Sequence, residues 1–231
     1  MIKIHGFQKM TLLDYPGKVA CTLFLGTCNF RCPFCHNGSL VLAPEEEPVI
    51  PVEDVMKVLK KRQGILDGVC ITGGEPTIST GLRELIENIK QMGYLVKLDT
   101  NGTRPEILRK LIEADLLDYV AMDIKNSKEK YSLSAGISQV NIEKICESIE
   151  LLKSDVVDYE FRTTVMKELH KKEDFEAISQ WLAGSKKYFL QAYKETELVI
   201  CPGFSSYSKE ELEEFAQIPR QTISQVGIRG I

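Results

Sequence analysis

No stretch of this 231-residue chain approaches the roughly 18 consecutive apolar residues that a membrane-spanning helix needs. The opening residues, Met1-Ile-Lys-Ile-His5-Gly6, lack the apolar core and small-residue cleavage site of a signal peptide. The sequence therefore predicts a cytoplasmic protein with no membrane association, in a compartment where thiols stay reduced. Basic residues are not in excess: 29 Lys and Arg face 33 Asp and Glu, for a net charge of −4. That balance argues against nucleic acid as a partner and for a small molecule or a protein. Repeats, low-complexity tracts and linkers are also missing, and only 42–51, with its prolines and glutamates, reads as a long surface loop. The seven cysteines are an odd number, which counts against a pure disulfide framework. Length and 43% apolar content suit a single domain over residues 1–231 with a real core.

What is present is an alternation of element types. β-rich runs fall at 19–25, 69–72, 95–99, 119–124, 159–165 and 188–192. Helical stripes lie between them: Val52, Val55, Met56 and Leu59; Leu82, Leu85, Ile86 and Ile89; Ile107, Leu108, Leu111 and Ile112; Ile142, Ile145, Ile149 and Leu152; Phe175, Ile178 and Leu182. Thr103 with Glu106, and Ser208 with Glu211, have capping-box spacing, and Pro105 suits a first helical turn. This order predicts an α/β fold of parallel strands with outer helices. Six units fall short of the eight-stranded barrel, so the expectation is a partial (βα)6 barrel, with a further edge strand near 222–228.

Three cysteines, Cys28, Cys32 and Cys35, are crowded at C-x3-C-x2-C spacing just after the first β run. Soft thiolates at this density point to a metal. A four-iron cubane ordinarily takes four cysteines, so three would leave one iron open for chemistry. Two rivals share these residues. One is a zinc site with His36 as fourth ligand. The other is c-type haem attachment, because Cys32-Pro-Phe-Cys35-His36 reads C-x-x-C-H. Zinc sites usually draw on two separated pairs, and haem attachment would leave Cys28 unused, so iron–sulfur is preferred.

Other polar residues gather at the carboxyl ends of the β runs, where ligands of such folds collect. Gly73, Gly74 and Glu75 follow the second run, Asp99 and Asn101 end the third, and Asp123 and Lys125 end the fourth. Arg162 lies in the fifth and Gln191 in the sixth. Glycines let a ligand approach the backbone closely. Taken alone, Gly73-Gly74 could be only a turn, the acids caps, and Lys125 and Arg162 solvated cations. Cys21, Cys70 and Cys146 read as small buried hydrophobes, Cys201 as a surface thiol, Trp181 as packing, and His5 and His170 as surface or structural residues.

With these residues in view, the chain resembles the radical S-adenosylmethionine (SAM) superfamily. Phe34 supplies the aromatic before the last cysteine of its signature, and Gly73-Gly74-Glu75-Pro76 matches its second motif. The stretch from Gly6 through Asp14-Tyr-Pro-Gly-Lys18, Cys35-His36-Asn37, Asp99-Thr-Asn101-Gly102 and Asp123-Ile-Lys125 resemble the glycyl-radical-enzyme activases, above all those of anaerobic ribonucleoside-triphosphate reductase.

The resemblance implies that Cys28, Cys32 and Cys35 hold three irons of a [4Fe–4S] cluster and that SAM chelates the fourth. An electron from a flavodoxin- or ferredoxin-type donor would then cleave SAM to methionine and a 5′-deoxyadenosyl radical. That radical would take a hydrogen from a glycine of the partner. By the same resemblance Gly73, Gly74 and Glu75 meet the methionyl amine, and Lys125 and Arg162 its carboxylate. Phe34, His36 and Asn37 follow the adenosine, Asn101 joins the cofactor contacts, and Asp99 and Asp123 mark a monovalent-cation site. The stretch Leu190-Gln-Ala-Tyr-Lys194 lacks the histidine of pyruvate formate-lyase activases. That departure favours the reductase over a pyruvate formate-lyase-like partner. No second cysteine clump calls for another cluster. The remaining alternative is a radical SAM enzyme acting on a small molecule or an RNA base.

Overall fold

The computed structural model describes residues 2–231. Its fold is α/β, with mostly parallel strands and surrounding helices. The chain divides into two compact units.

The first unit comprises the stretch ending at Asn29, Ser39–Thr100 and Arg104–Ala121. Strand β1 (Ile4–Thr11) pairs antiparallel with β2 (Ala20–Leu25). Helices α1 (Gly38–Leu42) and α2 (Val52–Lys61) precede β3 (Gly68–Gly73), α3 (Leu82–Gln91) and β4 (Leu95–Thr100). β3 runs parallel to both β2 and β4. Helix α4 (Pro105–Glu113) leads to β5 (Tyr119–Asp123), whose approach is tied to β4 by Asp118 N–H to Val96 O (2.9 Å) and Val96 N–H to the Asp118 carboxylate (2.7 Å). The core is the set the periodicity marks: Leu23, Val69, Ile71, Val96 and Leu98 from strands, and Val55, Leu59, Ile86, Ile89 and Leu111 from helices. Val52, Met56, Ile107 and Ile112, at the margins of their stripes, are half-buried.

The second unit comprises Phe30–Gly38, Asn101–Thr103 and Met122–Ile231. Here α5 (Tyr131–Ala135) and α6 (Ile142–Lys153) precede β6 (Asp158–Val165), α7 (Lys172–Trp181), β7 (Lys187–Ala192), α8 (Lys209–Gln217) and β8 (Gln225–Arg229). β7 lies parallel between β6 and β8. Within this unit Ile124 N–H donates to Arg162 O of β6 (2.7 Å). Tyr159, Phe161, Tyr188 and Leu190 of its strands and Ile145, Ile149, Phe175 and Ile178 of its helices are all buried.

Two expectations change. Among the described residues there are eight strands, one more than the six and an edge strand expected: β1 escaped the pattern because only its end residues, Ile4 and Thr11, are buried. The capping box expected at Thr103 does not form. The N-cap of α4 is Arg104, with no side-chain cap, because Thr103 is engaged with Asn101 instead: its N–H (3.1 Å) and hydroxyl (2.7 Å) both donate to Asn101 Oδ1. Pro105 does open α4. The box at Ser208 is real: Glu211 N–H donates to Ser208 Oγ (3.2 Å), and Ser208 N–H to the Glu211 carboxylate (2.7 Å). Among the described residues no helix is long and apolar enough to cross a membrane.

Candidate functional site

In the first unit, β2 ends at Leu25 and the chain reaches Cys28 two residues past Gly26. Cys28 is half-buried, with Sγ 4.0 Å from Asn29 Oδ1. β3 ends at Gly73, and Gly74 and Glu75 turn the chain into a short 3-10 segment. Glu75 is buried, and its Oε1 accepts hydrogen bonds from Thr77 N–H (3.1 Å), Thr77 Oγ1 (2.5 Å) and Thr100 Oγ1 (2.7 Å). All three donors are neutral, so this carboxylate is held without a cation at those contacts. Asp99, on β4, forms an ion pair with Lys97 and accepts weakly from Cys70 Sγ at 3.8 Å. Lys97 is a residue the sequence reading missed. It is buried, 3.7 Å from Cys70 Sγ. Its placement two before Asp99, hence on the same strand face, was the available signal.

In the second unit, Cys32 and Cys35 flank a tight turn closed by Cys35 N–H to Cys32 O (3.0 Å). Burial pushes the Cys32 thiol up to about 11, opposed by the nearby Lys125. Burial likewise raises Cys35, opposed by the Asn37 backbone N–H and by Lys125. Phe34 is buried, and Asn37 is half-buried. His36 Nε2 donates to Lys194 O (2.6 Å), and its ring lies 5.7 Å from that of Tyr193. With Nε2 so committed, that nitrogen offers no lone pair to a zinc ion. Asn101 is buried and accepts from Thr103, and Gly102 O accepts from Ser148 Oγ (2.7 Å).

Asp123, the last residue of β5, accepts from Lys125 Nζ (2.9 Å) and Arg162 Nε (2.9 Å). Burial opposes its ionisation, but Arg162 and Lys125 outweigh that and bring the carboxyl down to about 2. Burial also works against charge on Lys125, and Asp123 again prevails, raising its pKa. Asp123 thus bridges two cations. The support of this cluster is His170, which is not on the surface but fully buried. Met166 N–H donates to Nδ1 (3.4 Å), so Nε2 carries the proton and donates to Lys125 O (2.9 Å). Burial lowers its pKa and keeps the ring neutral. A second pair the sequence did not suggest joins Arg229 of β8 to the buried Glu160, with bonds of 2.6 and 2.7 Å, and the guanidinium lies 3.6 Å over the Phe189 ring. Gln191 is half-buried on β7, and Cys201 is exposed, its N–H donating to Pro33 O (2.8 Å).

Among the described residues, no three His, Cys, Asp or Glu side chains are already gathered to hold a metal. The donor chemistry nevertheless suits iron–sulfur: three thiols sit within eight residues, and a lysine near Cys32 favours the thiolate.

A family model for the radical SAM superfamily matches residues 22–182. The chain belongs to the radical SAM superfamily. A Methanocaldococcus jannaschii protein named, provisionally, a glycyl-radical enzyme activating enzyme is 31% identical over 99% of this chain and 96% of its own length. A Helicobacter pylori GTP 3′,8-cyclase is 34% identical over 56% of this chain and only 34% of its own. The structure of Streptococcus suis SuiB bound to S-adenosylmethionine superposes with a TM-score of 0.69 at 14% identity, covering 88% of this chain and 48% of that one. At that identity it speaks to the fold. This radical SAM protein is accordingly an enzyme whose family implies SAM and a [4Fe–4S] cluster.

Proposed function

We propose that this radical SAM enzyme is an activase that installs a radical on a glycine of a partner enzyme, with anaerobic ribonucleoside-triphosphate reductase as that partner. The observation that carries the reading is end-to-end similarity to the archaeal activating enzyme, where the cyclase match stops at about half of the chain. With a [4Fe–4S] cluster and SAM bound, the cofactors would supply reductive SAM cleavage and hydrogen abstraction from the glycine. The chain's own residues hold and orient. Cys28, Cys32 and Cys35 take three irons. Glu75, with the half-buried backbone of Gly73 and Gly74, takes the methionyl amine. Lys125 and Arg162, held by Asp123, take the carboxylate, and Phe34, His36, Asn37 and Asn101 line the remaining contacts. The cysteine motif crosses from one unit to the other within one continuous stretch, which supports treating 1–231 as one catalytic domain.

The finer parts of the reading are a cytoplasmic setting, a flavodoxin- or ferredoxin-type donor and a monovalent cation at Asp99 and Asp123. A cation there would have to compete with Lys97 for the first acid and with Lys125 and Arg162 for the second. Isotope transfer tests the activity. The anaerobic reductase of the same organism, labelled with [2,2-²H]glycine, is mixed with the reduced, iron-loaded protein and SAM. Deuterium in the 5′-deoxyadenosine is the expected result. Unlabelled 5′-deoxyadenosine formed at the same rate without the reductase would reject it as the partner.

A further inference from the structure

Gly74 occupies a place no side chain could share. A Cβ there would overlap the Thr27 carbonyl oxygen and lie 2.6 Å from its carbon and 3.3 Å from Cys28 N. Thr27 itself has φ of 68°, the left-handed region that a β-branched residue rarely enters. Its side chain is exposed, so side-chain packing does not hold it there. Its backbone does: Thr27 N–H donates to Leu40 O (2.8 Å), and Thr27 O accepts from Glu75 N–H (2.9 Å). Gly74 N–H in turn donates to Leu25 O (2.8 Å), at the end of β2. The peptide that delivers Cys28 is thus clamped between Leu40 on one side and Gly74-Glu75 on the other, and a strained conformation persists only where its surroundings over-determine it.

From this we propose that Gly74 and Thr27 are positioning residues for the cluster ligand Cys28, acting through the Thr27 peptide and independently of any contact with SAM. The inference rests on the iron–sulfur reading above and extends it. The Gly-Gly-Glu turn serves the metal as well as the methionyl amine. A methyl group at position 74 displaces the Thr27 carbonyl and with it Cys28, and a proline at position 27 cannot adopt the positive φ and loses the N–H bonded to Leu40.

The test is carried out without SAM, so that a SAM contact cannot contribute. Wild type, Gly74→Ala, Thr27→Pro and Thr27→Gly are loaded anaerobically with iron and sulfide. Iron content, the paramagnetic resonance line shape of the reduced cluster and its loss to a chelator are recorded, with circular dichroism as the check on folding. Gly74→Ala and Thr27→Pro should lose the cluster to chelator about tenfold more readily, the scale of disturbing a residue that orients a metal ligand. Thr27→Gly, which reaches the left-handed region without strain, should load fully and melt no lower than wild type. Full iron and an unchanged line shape in folded Gly74→Ala would overturn the proposal, as would normal loading of Thr27→Pro or a lower melting point of Thr27→Gly. A wild-type protein that takes up no iron would instead overturn the reading on which the proposal depends.

Discussion

Glu75 and Asp123 are both carboxylates at strand ends, yet the chain treats them oppositely. The donors to Glu75 include the hydroxyls of Thr77 and Thr100 and one backbone N–H. Around Asp123 they are a lysine and an arginine. A neutral donor orients an anion without cancelling its charge at that contact, whereas a cation neutralises it. A carboxylate is the kind of group that an ammonium pairs with, and a lysine or an arginine the kind that a carboxylate pairs with.

The largest break comes from the metal. Cys32→Ala should abolish SAM cleavage while the fold survives. 5′-Deoxyadenosine production at the wild-type rate would remove the cluster assignment. The next tests sharpen the contrast of sign. Lys125→Ala should weaken SAM binding about 10- to 100-fold, as expected for a lost charge-assisted bond, with cluster loading intact. Equal affinity would take Lys125 out of the site. Glu75→Gln keeps shape and loses charge, and should weaken SAM by about tenfold. It should leave the affinity for a SAM analogue lacking the amine unchanged, and calorimetry with that analogue would expose any other role.

The smallest effect concerns stability. The Asp123 carboxyl lies at about 2 in the fold against an ordinary 3.8. Its folded value is depressed, so its stabilisation is present above about pH 4 and is lost as pH falls through 2. Melting followed from pH 5 to 2 should drop less steeply in Asp123→Asn, and identical slopes would contradict the pairing.

How much of this was legible beforehand follows from what each residue shows in one dimension. The six β runs were readable because their apolar residues are buried, as in Val69-Cys70-Ile71. The polar residues after them were readable by position. Strand β1 was not, since an antiparallel edge strand exposes its middle. Lys97 and Glu160 escaped because each is buried by a partner, Asp99 and Arg229, that no periodicity announces. For His170 the sequence left surface and structural roles open, because what decides between them is a bond to the backbone of Lys125, 45 residues away. Thr103 misled because a capping sequence competes with other local acceptors, and Asn101 won.

The most direct test of the central claim is an anaerobic spectrum. The protein would be loaded with iron and sulfide, reduced, and mixed with SAM and the anaerobic ribonucleotide reductase of the same organism for electron paramagnetic resonance. The account predicts a glycyl radical doublet that requires every component and disappears with Cys32→Ala. A reductase that stays silent beside active production of 5′-deoxyadenosine would contradict it.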